Sequence, residues 1–443
     1  MSESSILNRR EFIQAGLAAG AGAMLARTPS ARAQKPASDE INLAVIGAGA
    51  QGRVLINAML NIPKLKFRAV CDIWEYSRTY GQRYLMKYGH KPNAYEDYRE
   101  MLEKEKGLDA VIVASPDFMH AEMTNAALDS GIHVYCEKCM SNDIEKARSM
   151  VKTMQKTGKL LQIGHQRRSN PRYLHVYNNL IKKAKIPGRL TNASAQWNRA
   201  VSEDIGWPEK YTIPPETLKK YGYQNMHEFR NWRWFKKYGG GPISDLGAHQ
   251  IDIFNWFFEV SPTSVLAGGG VDYYKTHEWY DNVMAIFEYK TAEGTARAFY
   301  QVLTTTSAGG GYFENFMGEN ATIKISENPK FTKIYRETRA PDWQKWISLN
   351  YIVASHAPAA PKAEGATVDV RETAEAATFD IPVVLEKPYH QPHLENFFDA
   401  IRGKAKLTCP GDEAFKSEVA VLKVNEAVAA KQMLVFKPED FAV

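Results

Sequence analysis

Ile41–Gly52, INLAVIGAGAQG, is the stretch on which the reading of this chain turns. Ile41, Leu43, Val45 and Ile46 form a nearly unbroken apolar run, the pattern of a parallel strand covered on both faces. The run ends in Gly47, Gly49 and Gly52, spaced G-x-G-x-x-G. In a dinucleotide-binding turn the first glycine permits the tight turn, the second lets backbone approach a pyrophosphate, and the third lets helix and strand pack closely. The spacing predicts a helix over roughly 49–61 whose N-terminal amides and dipole face that phosphate, with Gln51 in its first turn.

A second strand, Lys66–Cys71, ends at Asp72, twenty residues beyond Gly52. The ribose-binding acid of such a unit falls there. A carboxylate accepts from both ribose hydroxyls and repels a 2′-phosphate, which favours NAD over NADP. Arg78 would reverse that preference by turning toward a 2′-phosphate. Strand and helix patterns then alternate to about residue 164, with helices near Tyr76–Lys87, Tyr95–Lys104, His120–Ser130 and Ile144–Thr157 and strands at Ala110–Ala114, His133–Cys136 and Leu160–Ile163. This alternation predicts an α/β fold with a doubly wound parallel sheet. Ligands of such sheets meet the carboxyl ends of the strands. Three of those exits carry polar clusters: Ser115–His120, Glu137-Lys138 and His165–Arg168. Beside a nicotinamide, the Lys138 ammonium could polarise a substrate hydroxyl and steady the charge developing on its oxygen, and Glu137 could position it.

From Gly188 onward the pattern changes. Arg189–Arg199, Val265–Tyr273, Asn282–Tyr289, Thr295–Val302, Tyr312–Met317 and Ala321–Ile325 alternate partially, as in a large open, mostly antiparallel sheet. Between the first two, Gly239-Gly240-Gly241-Pro242 feeds a predicted helix on which Asp245, His249 and Asp252 stand at i, i+4 and i+7, one face presenting all three. Histidine is the natural general base near neutral pH, although a buried structural histidine fits the same pattern. Trp197, Trp207, Trp232, Trp234, Tyr238, Trp279 and Tyr280 crowd this half; sugar rings stack well on such side chains, and most serve equally as core. Asn231-Trp232-Arg233-Trp234 is the expected substrate-contacting run, with Tyr238, His165 and Arg168 beside it. Residues 341–378 read as an irregular surface excursion, and Gln391–Arg402 and Pro410–Lys431 as helices returning to the nucleotide domain.

The start of the chain carries Asn8-Arg9-Arg10-Glu11-Phe12-Ile13, an apolar small-residue run Ala15–Leu25, and Ala31-Arg32-Ala33. That order of charged, apolar and cleavage segments is a twin-arginine export signal over residues 1–33, with a polar linker to residue 40 and a periplasmic destination. Its apolar part is about half of the roughly 20 residues a spanning helix needs, so no stable membrane insertion is expected after processing. This route exports folded proteins. A nicotinamide protein outside the cytoplasm meets no soluble cofactor pool, so the dinucleotide should be held tightly and regenerated in each turnover. The 443 residues suffice for two sizeable cores, and a net charge of +6 with no long basic run does not point to nucleic acid. Cys136-Glu137-Lys138-Cys139 is formally C-x-x-C, but with no second pair and no adjacent histidines no metal site is expected.

Taken together, Gly47–Gly52, Asp72, Ser115–His120, Glu137-Lys138 and Asp245–His249 resemble the glucose-fructose oxidoreductase / inositol dehydrogenase / rhizopine catabolism (Gfo/Idh/MocA) family over nearly the whole mature chain. The resemblance implies a Rossmann domain over 41–164, a substrate and oligomerisation domain over 165–390, C-terminal helices over 391–443, and assembly as a homodimer or homotetramer. It places the family's Glu-Lys-Pro motif on Glu137-Lys138, with Lys138 as catalytic lysine, and its D-x-x-x-H motif on Asp245 and His249, with His249 as acid/base. Ser115 and His120 then pass the nicotinamide. Cys139 replaces the usual proline, whose fixed φ helps set the lysine. The expected chemistry is hydride transfer from a sugar, polyol or glycoside to nicotinamide. Two alternatives stand: a redox-neutral glycosidase working by transient oxidation and elimination, with His165, Tyr238 or Tyr280 as the extra acid/base, and a sugar-binding protein without activity.

Overall fold

A computed structural model describes residues 39–307, 311–356 and 376–443; the export-signal residues lie outside these. The quoted stretch forms β1 (Ile41–Ile46), followed by helix α1 (Ala50–Met59). With β2 (Leu65–Cys71), β3 (Asn93–Tyr95), β4 (Ala110–Val113), β5 (His133–Cys136) and β6 (Leu161–Ile163) it makes a six-stranded sheet in the order β3-β2-β1-β4-β5-β6. All its pairings are parallel. The apolar run of β1 is explained by burial from both sides. Ile41, Leu43 and Val45 share one core with Leu55 and Ile56 of α1, whereas Ala44 and Ile46 face a second core with Val111 and Val113.

Tyr95–Lys104 departs from its expected helix. Tyr95 closes the edge strand β3, and the helix starts only at Tyr98, where the Asp97 side chain accepts from Arg99 N at 3.0 Å and caps it.

The second sheet comprises β7 (Leu190–Asn198), β8 (Ser264–Gly270), β9 (Asn282–Thr291), β10 (Gly294–Leu303), β11 (Tyr312–Gly318), β12 (Ala321–Ile325), β13 (Lys333–Arg336), β14 (Val353–His356), β15 (Ala377–Asp380) and β16 (Leu434–Val435). Its order among the described residues is β14-β15-β13-β12-β11-β7-β10-β9-β8-β16, antiparallel except where β10 lies parallel to β7. The stretch read as irregular therefore supplies a short helix, Gln344–Ser348, the edge strand β14 and the start of its neighbour β15. Strands of four residues carry too few alternating positions to register as a period.

Helices close the two sheets together. Leu394, Phe397 and Phe398 of α4 (Gln391–Ile401; α2 is Asp117–Asp129 and α3 is Ala248–Phe258) join the core of β1, each fully buried side chain contributing roughly 1.5–3 kcal/mol. Phe415 and Val419 of α5 (Gly411–Ala430) share a core with Met150 below the first sheet and with Val265 and Phe287 of the second. Among the described residues no helix is long and apolar enough to cross a membrane.

Candidate active site

The strand exits of the first sheet open onto a cavity of about 880 Å³ whose far wall comes from the second half of the chain. The glycine turn forms its floor. Gly47 has φ +90°, and a Cβ there would lie 2.5 Å from the Ala114 carbonyl oxygen. Gly52 sits out of the cavity, where a Cβ would come within 1.9 Å of the Gly47 carbonyl oxygen; it permits helix and strand to touch. Gly49 has open space in front of it and borders the cavity, as close backbone approach by a diphosphate requires. Asp72 is fixed in the same turn by Ala48 N and Trp74 N, both at 2.8 Å. Burial raises its pKa against the pull of those two amides. Arg78 donates to the Asp72 main-chain oxygen at 2.6 Å. Open backbone at Gly49 with a fixed carboxylate one strand away fits the phosphate and ribose of a dinucleotide.

Lys138 reaches across the cavity. Its Nζ donates to the Asp245 carbonyl oxygen at 2.6 Å and stands 3.9 Å from Asp245 Oδ1. Burial works against its charge, but Asp245 and other nearby acidic groups raise its pKa above the ordinary value. Asp245 itself would be pushed up by burial, yet Arg233, Lys138 and Arg199 hold it well below the usual carboxylate range. His249, one turn further on, is buried; that burial and the positive charge of Lys138 push its pKa well below the ordinary histidine value, so it is a neutral base. Trp197 flanks it with ring centroids 5.8 Å apart.

The residue at the usual proline position is held by other means. Cys139 Sγ donates to Ser244 O at 3.0 Å, Ser244 Oγ donates to Cys139 Sγ at 2.8 Å, and Glu418 accepts from Met140 N at 2.8 Å. The turn bearing Lys138 is thus tied to the wide turn Ile243–Gly247 bearing Asp245. His120 ties it to the neighbouring exit: its ring nitrogens contact the Cys139 carbonyl at 2.6 Å and the Ser115 carbonyl at 2.7 Å. Two carbonyl acceptors require two N–H groups, hence an imidazolium. Burial opposes that charge, but neighbours including Cys136 and Asp117 raise the pKa to about 10. Gln51 donates to Glu137 at 3.1 Å, so both face the glycine turn.

Several expected residues stand elsewhere. Arg168 is not in the cavity wall; its guanidinium forks onto Asp252 at 2.8 Å. Asp252, three residues past His249, lies outside the cavity wall that Asp245 and His249 line and is bound to Arg168 and Ser417; Asp245 itself lies in the wide turn, before α3 begins at Ala248. His165 is buried behind His249, 3.9 Å from Asp252, and its burial lowers its pKa to about 4. Tyr238 is buried with its hydroxyl on Glu228 and on Gly222 O at 3.1 Å. Tyr280 also lies outside the cavity wall, whereas Trp232 and Trp234 line it. Among the described residues the wall includes Gln166 of the His165–Arg168 cluster and Arg233 of the expected substrate-contacting run, and adds Arg199, Tyr312, Glu327 and Tyr389, which the sequence did not single out. Arg233 had a local cue, its place between two tryptophans.

The segment after β7 roofs the cleft. Trp74 Nε1 donates to Tyr211 O at 2.6 Å, Arg230 lies over the Trp74 ring at 4.5 Å, and Tyr221 donates to Glu96 at 3.2 Å. On the other side Phe118 N donates to Tyr238 O at 3.2 Å and Asn142 to Lys237 O at 3.1 Å. Tyr211, Tyr223 and Phe229 pack with Trp74 and Tyr76 in one small core.

These features agree with the chain's relatives. Residues 41–165 match the oxidoreductase family with an NAD-binding Rossmann fold, and residues 218–324 match the GFO/IDH/MocA C-terminal domain. The chain belongs to this family, and its N-terminal domain is an NAD-binding one. It is 30% identical to the D-glucoside 3-dehydrogenase of Escherichia coli over 217 residues, 48% of this chain and 53% of that protein. It is 33% identical to a glycosyl hydrolase family 109 protein of Stenotrophomonas maltophilia over 159 residues, 34% of each. The chain thus spans about half or less of the length of these relatives. A levoglucosan dehydrogenase solved with NADH and L-sorbose shares the fold, with a TM-score of 0.67 at 14% identity, covering 91% of this chain and all of that one.

Proposed function

We propose that this protein oxidises a secondary alcohol of a sugar, polyol or glycoside, with NAD retained in the cleft. The observation that carries this is the meeting of Lys138, Asp245 and His249 on the cavity floored by the glycine turn. A bound nicotinamide supplies the carbon that takes the hydride. The chain's own residues do the rest. Neutral His249 takes the hydroxyl proton. Lys138, held charged by Asp245, donates to the same oxygen and steadies its negative charge as the C–H bond breaks. Asp245, fixed as a carboxylate by its cations, keeps Lys138 in place. The similarity to a D-glucoside 3-dehydrogenase and to a fold neighbour holding NADH and L-sorbose supports a carbohydrate substrate.

Asp72 at the ribose position, with Arg78 turned to its backbone, supports NAD over NADP. Residues 1–33 are read as a twin-arginine signal and the protein as periplasmic, where the fastened roof over the cleft suits a cofactor that stays bound. A second copy of the chain is proposed on the open face of the second sheet, where Leu266, Ile286 and Phe299 stand in register on adjacent strands, 40–47% exposed. Light scattering of wild type and Ile286→Lys tests this.

The glycosyl hydrolase relative supports a second reading, redox-neutral glycoside cleavage. His165, Tyr238 and Tyr280 all lie outside the cavity wall, and the wall offers Tyr312, Tyr389 and His390 in their place as the acid this reading needs. The deciding experiment denatures protein purified from the periplasm to identify released dinucleotide, and incubates the folded protein with sugars and glycosides. Reduced nicotinamide without bond cleavage supports the oxidoreductase. Free sugar without net reduction supports the glycosidase. No retained cofactor and no response to added NAD overturns both in favour of a sugar-binding protein.

A further inference from the structure

Three cations converge on one carboxylate at the substrate end of the cavity. Arg233, in the short turn Trp232–Trp234, donates Nε to Asp245 Oδ1 at 3.0 Å. Arg199, just past β7, brings Nη1 to 3.8 Å from Asp245 Oδ2, and Lys138 Nζ stands 3.9 Å from Oδ1. Neither arginine is consumed by this contact. Arg233 engages Asp245 through Nε, leaving its two terminal amino groups without a hydrogen bond to any described residue, and the Arg199 guanidinium makes none within hydrogen-bond distance. Both side chains line the cavity and remain 40% and 46% exposed.

The acidic groups of this wall do not restore the balance. Glu327 is taken by Arg167 at 3.2 Å and by Gln166 at 3.1 Å. Glu137 accepts from Gln51 on the cofactor side. Buried Asp117 faces the His120 imidazolium as well as Lys138 and Arg233, and exposed Glu203 is one further negative charge; with Asp245 these still leave Lys138, Arg199, Arg233 and His120 in excess. A guanidinium with free N–H edges matches the planar oxygens of a carboxylate or phosphate. Apolar ring faces lie alongside: Trp197 stacks on Tyr312 at 4.4 Å, and Trp232 lies under Arg233 at 4.3 Å.

Resting on the oxidoreductase reading of this site, we propose that the substrate is a carbohydrate bearing an oxyanion, a carboxylate or a phosphate ester. Arg199 and Arg233 hold the anion, the tryptophans hold the ring, and the alcohol to be oxidised lies at His249 and Lys138. A neutral sugar of the same size leaves the two guanidiniums with only the Asp245 carboxylate to share. The oxyanion therefore decides affinity, whereas hydride transfer is decided at Lys138.

The test uses the full chain with its retained cofactor and three probes: methyl glucoside, methyl glucuronide and glucose 6-phosphate. Binding is read by calorimetry and reduction of the bound dinucleotide by stopped-flow absorbance. At least one anionic probe should half-saturate at a concentration about tenfold or more below the neutral glycoside. Which anion does so separates a carboxylate from a phosphate ester. Arg199→Gln should reduce that preference at least about fivefold, and Arg199→Lys should recover part of it, with preference for the anion falling as salt rises. Neutral glycoside oxidised as readily as either anion, or a preference indifferent to Arg199→Gln, overturns the proposal and leaves the oxidoreductase intact. Anions that bind through Arg199 without reducing the dinucleotide support the anion site and overturn the oxidoreductase. No binding of either anion overturns the proposal outright.

Discussion

The two walls of the cleft are built on different principles. The wall under the dinucleotide is made of the exits of neighbouring parallel strands and mostly of backbone: Gly47, Gly49, the Ala48 amide and the exits at Ser115 and Glu137. The facing wall is made of side chains brought from far apart, Trp197, Arg199, Arg233, Asp245, His249, Tyr312 and Glu327. A backbone wall recognises what all dinucleotides share. A side-chain wall is where one substrate can be told from another, because it can be rebuilt residue by residue without disturbing a turn.

The largest effects should come from the residues that join the walls. Lys138→Met and His249→Asn should each lower hydride transfer about 10²–10⁴-fold while leaving the released dinucleotide unchanged in amount, which single-turnover kinetics and quantification after denaturation would check. Loss of cofactor in either variant would mean that the two walls are not separable.

The histidines sharpen the contrast by pH. His133 and His165 are buried neutral, their pKa values lowered to about 4 by that burial. An unfolded chain takes up those protons from about pH 6.5 downward while the folded chain does not, so these two histidines lower stability between about pH 6.5 and 4 by a few kcal/mol as an order of magnitude, against the opposite contribution of Glu314 and Glu418, whose burial raises their pKa values to about 7 and about 8. His120 works in the other direction. Its pKa of about 10 means the folded chain keeps a proton the unfolded one has lost, so stability should also fall as pH rises from about 6.5 to 10. Urea unfolding across the pH range reads both limbs, and His120→Gln should flatten the alkaline one.

The glycine turn is expected to be intolerant in a position-specific way. Gly52→Ala forces a Cβ to within 1.9 Å of the Gly47 carbonyl oxygen and should cost about 1–3 kcal/mol or more in thermal or urea unfolding. Gly49→Ala meets open space, so stability should hold while dinucleotide retention drops. The smallest effect belongs to the Lys138 turn. Cys139→Ala removes two contacts with Ser244 and should lower the hydride-transfer rate less than about tenfold, with substrate affinity unchanged; an effect as large as that of Lys138→Met would show that the thiol does more than position the turn.

What the sequence by itself determined about this protein is the first wall and the fold around it. Gly47, Gly49, Gly52 and Asp72 were legible because a glycine turn and the acid twenty residues on are fixed by local geometry. Glu137-Lys138 and Asp245–His249 were legible as short motifs. The rest depended on partners distant in sequence. Arg168 and His165 follow a strand exit as a ligand-binding cluster would, yet a carboxylate at Asp252, in α3, draws them into the interior. Asp252 has the right helical spacing, but Arg168 and Ser417 hold it in the interior, outside the wall that Asp245 and His249 line. Trp197, Tyr312 and Glu327 share a wall only because β7 pairs with β11 and β11 with β12, a register that no local pattern specifies. The tertiary structure alone decided these placements, since burial and charge pairing act between elements that the sequence leaves far apart.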